Sequence, residues 1–480
     1  MLVARCAVAC ALLTAAAMAP AAAQGLQACR IKGIEREVRC GTLALPENPD
    51  APGGRTIRVR YAVVPAVARH KAPDPVFVFA GGPGQAATRV AGGVMPLFQR
   101  LNGTRDIVFV DQRGTGSSNP LECDRLPPKT PVARLFDVRF MQARLAECLR
   151  KQDADLAQYA TWIAVRDFEA VRAALGAPQI NLWGASYGTR AALEYLRQFP
   201  QHVRTAVLDG VAPPDMALPA SMAVDADAAL ATLVAQCAAD AACRQRHPAL
   251  ADELQSLLTR AAKGELMLDV AHPLSGQREA VTLDSAALGS LLRTPLYAPQ
   301  LGAVLPYALA AAARGSPDAL VGLSTGVTGS LEQNFAEAMH FAVVCADDMP
   351  RVDAAALERA RATRFGSAFT DLYVALCQPL RLRTPPAAFY EIKPSVAPVL
   401  LLSGGTDPAT PPRHGDAVAA KLGNAVHMVA PNLGHGVSMQ GCAPEQITRF
   451  VRRASFDGLE RDCLRKLPPP RFFAMPGTTP

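Results

Sequence analysis

Short runs of apolar residues, separated by glycine and aspartate, alternate along this chain with segments that carry apolar residues at helical spacing. Five runs lie in the first half and two lie far downstream: Thr56–Val64, Val76–Phe79, Ile107–Val110, Ile180–Trp183, Ala206–Leu208, Val399–Leu402 and Ala425–Val429. Helical patterns lie between several of them, notably Ala164–Leu175 and Arg190–Phe199. Strands that alternate with helices favour an α/β fold with a mostly parallel sheet covered on both faces.

Between about residues 211 and 386 the pattern changes, because alanine and leucine dominate at helical spacing and strand-like runs are scarce. The spacing predicts helices at Ala228–Ala242, Leu250–Ala262, Ser285–Leu292 and Leu301–Ala313. Since strand-like runs resume afterwards, we interpret the segment as a large helical cap, inserted between two strands over the carboxyl edge of the sheet. An independent helical domain is the alternative.

The chain is expected to divide into a sheet-bearing domain in two parts, residues 24–210 and 387–466, with the cap at 211–386. Residues 467–480 are rich in proline and are predicted to be a surface or loosely ordered tail.

Residues 1–23 carry one positive charge, Arg5, before an uncharged stretch that ends in three alanines. This pattern is typical of a secretory signal peptide. A membrane anchor is the alternative, although Pro20 interrupts the short apolar stretch.

Cysteine usage agrees with an exported protein, periplasmic or extracellular. Of 12 cysteines, Cys6 and Cys10 leave with the signal peptide and ten remain. An even number in an exported chain suggests disulfides, with free buried cysteines as the alternative. We predict pairing of neighbours in order: Cys29–Cys40, Cys123–Cys148, Cys237–Cys243, Cys345–Cys377 and Cys442–Cys463. No C-x-x-C or H-E-x-x-H motif occurs, so no metal site is expected.

Composition and charge exclude some partners. Half of the residues are hydrophobic, which is enough for a sizeable core. The formal net charge of +7 becomes +6 without Arg5, and the basic residues are scattered along the chain. This distribution indicates a solvated surface, so we expect no nucleic-acid partner and no membrane contact after signal removal.

The pentapeptide Gly184-Ala185-Ser186-Tyr187-Gly188 stands between a strand-like run and the helical stretch Thr189–Phe199. A G-x-S-x-G motif between a strand and a helix is the sequence form of a nucleophile elbow, a tight turn that exposes the serine hydroxyl. The motif alone is common, so its weight depends on the rest of the catalytic group.

A serine nucleophile needs a base and a third group that orients the base. In folds with this elbow, the acid and then the histidine follow the serine along the chain. Asp407 follows the run Val399–Leu402, and His435, flanked by glycines, follows Ala425–Val429. We therefore predict Ser186 as nucleophile, His435 as base and Asp407 as the orienting acid. Asp416 is the rival acid.

Backbone N–H groups must stabilise the oxyanion of the tetrahedral intermediate. One donor is expected from Tyr187, directly after the nucleophile, and the other from the loop Phe79–Gly84 after an early strand. Pro83 has no N–H, so Gly82 is preferred, with Gly81 next. In the following loop, Asp111–Ser118, Asp111 and Arg113 are expected to fix the loop rather than to catalyse.

Together these residues resemble the proline iminopeptidase and tripeptidyl aminopeptidase family of α/β-hydrolase serine peptidases, and the secreted tripeptidyl aminopeptidase-like branch is the more similar. The motifs that carry the resemblance are Gly81–Gly84, Asp111–Ser118, Gly184–Gly188, Asp407–Pro411 and Gly434–Gly436. One departure is Ala80, where proline iminopeptidases carry histidine. The resemblance implies the α/β-hydrolase fold and an acyl-enzyme exopeptidase that acts on peptides with a free N-terminus, without metal or organic cofactor.

Such an enzyme must bind the substrate ammonium, and a carboxylate of the cap is the expected partner. The segment Glu337–Asp348 resembles the cap motif of the tripeptidyl branch, so its candidates are Glu337, Asp347 and Asp348. Ordinary surface or capping carboxylates are the alternative. Two other functions stay open: hydrolysis of esters or small amides by the same triad, and a non-catalytic binding protein that kept the fold.

Overall fold

The computed structural model of this chain describes residues 25–324 and 335–474, so the predicted signal peptide lies outside the described residues. The strands of the described residues are β1 Gln27–Ile31, β2 Ile34–Pro46, β3 Thr56–Val64, β4 Val76–Phe79, β5 Ile107–Val110, β6 Ile180–Ala185, β7 Val203–Asp209, β8 Leu266–Ala271, β9 Arg278–Leu283, β10 Val399–Gly404 and β11 Ala425–Ala430. Nine of them form one sheet in the order β1-β2-β3-β5-β4-β6-β7-β10-β11.

The predicted, mostly parallel sheet is confirmed. Strands β5, β4, β6, β7, β10 and β11 run parallel, while β1, β2 and β3 are joined to this group by antiparallel pairing. All seven predicted runs are strands. The sequence interpretation missed β1 and β2, because their alternating exposed and buried residues lack the continuous apolar run of a strand buried on both faces.

The α-helices of the described residues include Ala87–Asn102, Val132–Leu135, Val138–Lys151, Thr161–Ala174, Tyr187–Gln198, Leu218–Ala239, Ala241–Arg246, Leu250–Ala262, Ser285–Leu296, Pro299–Gly302, Leu305–Ala313, Glu337–Asp347, Ala354–Arg361, Ala368–Cys377, Pro412–Leu422 and Ala443–Arg453. Two of them, Thr161–Ala174 and Tyr187–Gln198, cover one face of the sheet together with Pro412–Leu422. Ala87–Asn102 and Ala443–Arg453 cover the other face. The sheet is therefore covered on both faces, as predicted.

Between β7 and β10 lies the cap, which has an apolar core of its own. It is mainly helical, as predicted. It also contains the antiparallel hairpin β8–β9, which the sequence analysis did not predict because its strands lack a continuous apolar run. Only alternate residues of β8 are buried, so the strand reads as half polar. Residues 121–151, placed by sequence in the first part of the sheet-bearing domain, also pack against the cap, where Val132 enters its core.

Hydrogen bonds join the cap to the sheet-bearing part, which does not fit an independent helical domain. Asp225, on the cap helix Leu218–Ala239, accepts from Arg413 Nε at 2.8 Å and lies 2.9 Å from His414 Nε2. This helix is long and apolar enough to cross a membrane by length and composition alone, and half of its most apolar window is buried inside the protein. Its contacts identify it as a core helix of the cap.

All five predicted disulfides are confirmed, with Cα–Cα distances between 5.2 and 6.3 Å. Each closes a short local loop. Cys345–Cys377 connects two cap helices, Glu337–Asp347 and Ala368–Cys377.

The described part of the C-terminal tail, residues 467–474, lies on the surface with most of its residues exposed, and hydrogen bonds hold it there. The Leu467 carbonyl accepts from Asn432 Nδ2 at 2.9 Å, and Phe473 N–H donates to the Ala303 carbonyl at 3.0 Å. The Phe473 ring lies 5.2 Å from that of Tyr307. The tail therefore runs from the sheet-bearing part onto the cap, held by aromatic contacts that its proline content did not indicate.

Candidate active site

Ser186 follows β6 and precedes the helix Tyr187–Gln198, so the motif has the strand–turn–helix form that its sequence predicts. Its φ is 56°, in the left-handed region that a non-glycine residue rarely occupies. A Cβ at Gly184 would collide with the Gly188 carbonyl, and one at Gly188 would collide with the Phe79 carbonyl. The two glycines therefore permit the tight turn that holds the Ser186 side chain at the carboxyl edge of the sheet.

Asp407 and His435 leave the neighbouring parallel strands β10 and β11 at this same edge. His435 Nδ1 lies 2.8 Å from Asp407 Oδ2. Asp407 is buried and also accepts from the N–H groups of Ala409 and Thr410, at 2.8 and 2.9 Å. The Thr410 hydroxyl donates to Asp407 Oδ2 at 2.8 Å, so the carboxylate is held from three sides.

The rival acid Asp416 belongs to a different histidine. Its Oδ1 lies 2.7 Å from His427 Nδ1, and His427 Nε2 lies 2.9 Å from the hydroxyl of Ser403. This second Ser–His–Asp chain cannot act on a substrate through its serine, because Ser403 is fully buried in β10. The geometry therefore assigns Asp407, not Asp416, to His435.

Burial and charge shift the pKa values of Asp407 and His435 in opposite directions. Burial by itself would lower the pKa of His435, but the Asp407 charge and hydrogen bond outweigh it and raise that pKa above its ordinary value. For Asp407, burial by itself would raise the pKa, while the His435 charge and the hydrogen bonds that Asp407 accepts bring it below its ordinary value. Asp407 is therefore ionised when His435 takes up a proton.

Activity should rise as pH increases through the raised pKa of His435, because only the neutral imidazole accepts the Ser186 proton. Asp407→Asn removes the charge that raises this pKa. The acidic limb of kcat/KM should move to lower pH, and kcat should fall by about 10⁴-fold. pH profiles on one chromogenic substrate measure both effects. Asp416→Asn is the matched control and should leave the limb in place; an equal shift in both variants would contradict the assignment.

Of the predicted oxyanion donors, Tyr187 directly follows the nucleophile and Gly82 lies in the loop after β4. Among the described residues, neither the Gly82 nor the Tyr187 N–H donates a hydrogen bond to a protein acceptor. A Cβ at Gly81 would come within 3.3 Å of Ser186 Cβ, so the loop passes close to the nucleophile. Gly82 has a φ of 111°, which favours glycine at that position. Both N–H groups are thus free for the oxygen of a tetrahedral intermediate.

A cap segment holds the outer side of this oxyanion loop. Ala336 N–H donates to the Gly84 carbonyl at 2.9 Å, and His340 Nδ1 lies 2.9 Å from the Pro83 carbonyl. Because a carbonyl only accepts, Nδ1 carries the proton, and Nε2 accepts from the Tyr373 hydroxyl at 2.7 Å. Burial lowers the pKa of His340 to about 4, so the imidazole is neutral at ordinary pH. His340 lies within a helical pattern, and nothing in that pattern indicates this contact.

Asp209, at the end of β7, was also missed. It is buried and its carboxylate accepts from Val437 N–H at 2.8 Å and Ser438 N–H at 2.7 Å, which fixes the loop that follows His435. Its carbonyl accepts from Ser186 N–H at 2.8 Å. One residue therefore positions both the nucleophile turn and the base loop. One sequence feature could have indicated Asp209: it directly follows the apolar run Ala206–Leu208 and precedes a glycine.

The expectation for Asp111 and Arg113 is confirmed, since both fix loops. Asp111 accepts from the N–H and the hydroxyl of Thr88, each at 2.8 Å. Arg113 is fully buried and makes two 2.7 Å hydrogen bonds to Asp167.

Two of the three predicted amine ligands, Asp347 and Asp348, are fully buried. Asp348 receives two 2.8 Å hydrogen bonds from Arg190, and both side chains are fully buried. Asp347 is fully buried against Thr161, and burial raises its pKa to about 7. The expectation that Asp348 is a free amine ligand does not fit, because its carboxylate is paired with Arg190. Asp347 is closed off from solvent, and its Oδ1 has no hydrogen-bond partner among the described residues.

Glu337 is the candidate that lies beside the oxyanion loop, one residue after the Ala336–Gly84 contact. Its side chain is 30% exposed and its Oε1 lies 2.5 Å from Arg144 Nη2. Its position at the start of a helix, with part of the carboxylate accessible, leaves it able to accept a further hydrogen bond.

Residues 74–441 match the family model of the alpha/beta hydrolase fold. This chain belongs to the α/β-hydrolase family. The hydrolase is 27% identical over 452 residues to serine protease Hip1 of Mycobacterium tuberculosis, covering 86% of this chain and 84% of that one. It is 28% identical over 196 residues to tripeptidyl aminopeptidase of Streptomyces lividans, covering 38% and 36%. It is 30% identical over 422 residues to carboxylesterase B of Mycobacterium tuberculosis, covering 81% and 79%. The family and these relatives make this chain a hydrolase of the serine hydrolase type, and Ser186, Asp407 and His435 are its candidate catalytic residues.

Proposed function

We propose that this hydrolase is an exported serine exopeptidase that releases short N-terminal fragments, from one amino acid to a tripeptide, from peptides with a free N-terminus. The observation that carries the proposal is the Asp407–His435 pair at the same sheet edge as Ser186 and two unused N–H donors, beneath a cap that contacts the oxyanion loop. Relatives named serine protease and tripeptidyl aminopeptidase support a peptide substrate.

The geometry supports acyl transfer in two steps. His435 takes the Ser186 proton as the hydroxyl oxygen attacks the carbonyl carbon, and the Gly82 and Tyr187 N–H groups bind the oxyanion. His435 then protonates the leaving amine, which departs and leaves an acyl-enzyme on Ser186. A water molecule, deprotonated by His435, attacks the carbonyl carbon of this ester. The C–Oγ bond then breaks, His435 returns its proton to Ser186, and the N-terminal fragment leaves. Every bond change is accounted for by these residues and water.

Glu337 is the proposed ligand of the substrate ammonium. Glu337→Gln keeps the shape of the side chain but removes its charge, so kcat/KM for a free tripeptidyl amide should fall by about 10- to 100-fold. The N-acetylated tripeptide and a short-chain ester have no ammonium, and their rates should stay the same. Measurement uses a panel of aminoacyl and tripeptidyl chromogenic amides, their acetylated forms and the ester.

The matched control is Glu253→Gln, which removes another partly buried cap glutamate that is ion-paired with an arginine, Arg314. It should leave the panel unchanged. Equal losses on free and acetylated peptides in Glu337→Gln would contradict the amine role. Equal cleavage of both by the unaltered enzyme would contradict the exopeptidase proposal itself.

Export is supported by the five disulfides, which persist in oxidising compartments. The direct test is the N-terminal sequence of the protein recovered from the periplasm or the medium, which should begin near Gln24. Recovery of the intact N-terminus from the cytoplasm would overturn this part of the proposal.

The second candidate function is ester hydrolysis, favoured by the similarity to carboxylesterase B. The triad and oxyanion donors act on esters and amides alike. The substrate panel separates the two functions, since an esterase would cleave the short-chain ester and none of the peptide amides.

A further inference from the structure

Arg293 lies in a cap helix that ends next to the predicted catalytic base, His435. It is in the helix Ser285–Leu296, four residues before Tyr297, and this spacing places the two side chains on one helical face. The Tyr297 ring meets the His435 ring edge to face at 5.1 Å, and the Tyr297 carbonyl accepts from His435 N–H at 2.9 Å. The end of this helix therefore rests on His435, and Arg293 is one turn away.

Arg293 also reaches toward the oxyanion side of the site. Its guanidinium carbon lies 4.8 Å from the centre of the Phe369 ring, and the Phe369 ring lies 5.0 Å from that of Tyr373. Tyr373 is the residue that donates to His340, which in turn holds the Pro83 carbonyl. The guanidinium thus lies between the cap residues that contact the base and those that contact the oxyanion loop.

In the part of the chain that the structure describes, Arg293 forms no ion pair. Its contacts are the Phe369 ring and the sulfur of Met222, 3.7 Å from Nη1. Some cap arginines instead have carboxylate partners, namely Arg278 with Asp269, Arg314 with Glu253 and Arg364 with Asp227. A partly buried cation with only a ring and a thioether beside it keeps most of its N–H donors available.

We propose that Arg293 binds a carboxylate of the substrate, so that the enzyme prefers peptides with an anionic group close to the scissile bond. A guanidinium suits this role, because its parallel N–H groups match the two oxygens of a carboxylate. The anion is either an acidic side chain or the terminal carboxylate of a short peptide. This inference rests on the proposed peptidase function and names the class of peptide it would take.

The test compares matched peptides that differ in one charge. Peptides with glutamate, glutamine or lysine on each side of the scissile bond report the side-chain source. Free acids and C-terminal amides of a short peptide report the terminal source. The unaltered enzyme should prefer the anionic member of one set by about 10- to 100-fold in kcat/KM. Arg293→Gln should abolish that preference, and Arg293→Glu should reverse it toward lysine or toward the amide.

Arg314→Gln is the matched control, because it removes another cap arginine whose partner is Glu253. It should leave the preference intact, and thermal unfolding should confirm that each variant is folded. The proposal is overturned if the unaltered enzyme cleaves anionic and neutral peptides equally, or if Arg293→Gln lowers both rates by the same factor.

Failure of the peptidase proposal gives a different result. If the enzyme cleaves esters and no peptides, the same comparison is made between a dicarboxylic half-ester and its methyl diester. A preference for the half-ester that disappears in Arg293→Gln would support the carboxylate site without the peptidase function. No preference in either series would overturn the site.

Discussion

Ser186→Ala should lower kcat by about 10⁶-fold, because the nucleophile, base and acid act as one unit. The variant should fold normally, since the substitution removes one hydroxyl and leaves the Ser186 N–H bond to Asp209 in place. Labelling by a fluorophosphonate should also be lost, because the probe forms its covalent bond with an activated serine. Single-turnover rates and intact-mass spectra of the labelled protein measure the two effects.

Ser403→Ala is a demanding control for this result. Ser403 also stands in a Ser–His–Asp chain, with His427 and Asp416, but it is fully buried in β10. The variant should keep its kcat and its labelling, and should lose only about 1 kcal/mol of stability from one broken hydrogen bond. If folded Ser186→Ala were still labelled to the same extent, Ser186 would not be the nucleophile, and the proposed mechanism would be wrong.

His340→Ala should lower kcat by about 10- to 100-fold with little change in KM, because the oxyanion loop loses the hydrogen bond that holds Pro83. His340 touches no reacting atom, so its role is to position the loop that carries Gly82. Affinity for a peptide aldehyde, whose hemiacetal oxygen takes the place of the oxyanion, should fall by a similar factor. Steady-state kinetics and aldehyde inhibition constants check both expectations.

A general loss of stability must be separated from a loss of position. His340→Asn restores an N–H donor at the place of Nδ1 and should recover much of kcat. His272→Ala is the matched control, since His272 is another buried cap histidine, with Nε2 3.2 Å from the Thr130 carbonyl. It should affect thermal unfolding more than kcat. If His340→Ala and His272→Ala lowered kcat equally, the positioning role would be wrong.

The strands that carry the chemistry were predictable because they are buried on both faces. Such strands read as continuous apolar runs, and the predicted runs Val76–Phe79 and Ile107–Val110 have the same bounds as β4 and β5, in which every residue is buried. The order of serine, acid and histidine then followed from their places after successive strands. Strands with one exposed face, such as β2 and β8, alternate polar and apolar residues and were missed.

Long-range contacts of the cap could not be predicted from the sequence. Nothing local distinguishes Glu337, which lies beside the oxyanion loop, from Asp348, which is paired with Arg190. The difference arises because the helix Glu337–Asp347 begins at the oxyanion loop and ends at the nucleophile helix. Tertiary packing alone determines which end of the helix contacts which of these two elements. The same limit applies to His340, whose partners Pro83 and Tyr373 are distant in sequence.

The helix Glu337–Asp347 has a consequence for attempts to exchange caps between hydrolases. At its beginning, Ala336 and His340 hold the oxyanion loop, and just past its end Asp348 holds Arg190 of the nucleophile helix. The helix belongs to the cap in sequence, but its contacts hold the oxyanion loop and the nucleophile helix of the sheet-bearing part. A chimaera that takes its cap from a relative must therefore retain this helix, and with it the disulfide partner segment Ala368–Cys377, as part of the recipient scaffold. The portion free to be exchanged for new specificity lies upstream, except for Tyr297, which contacts His435 and must be kept.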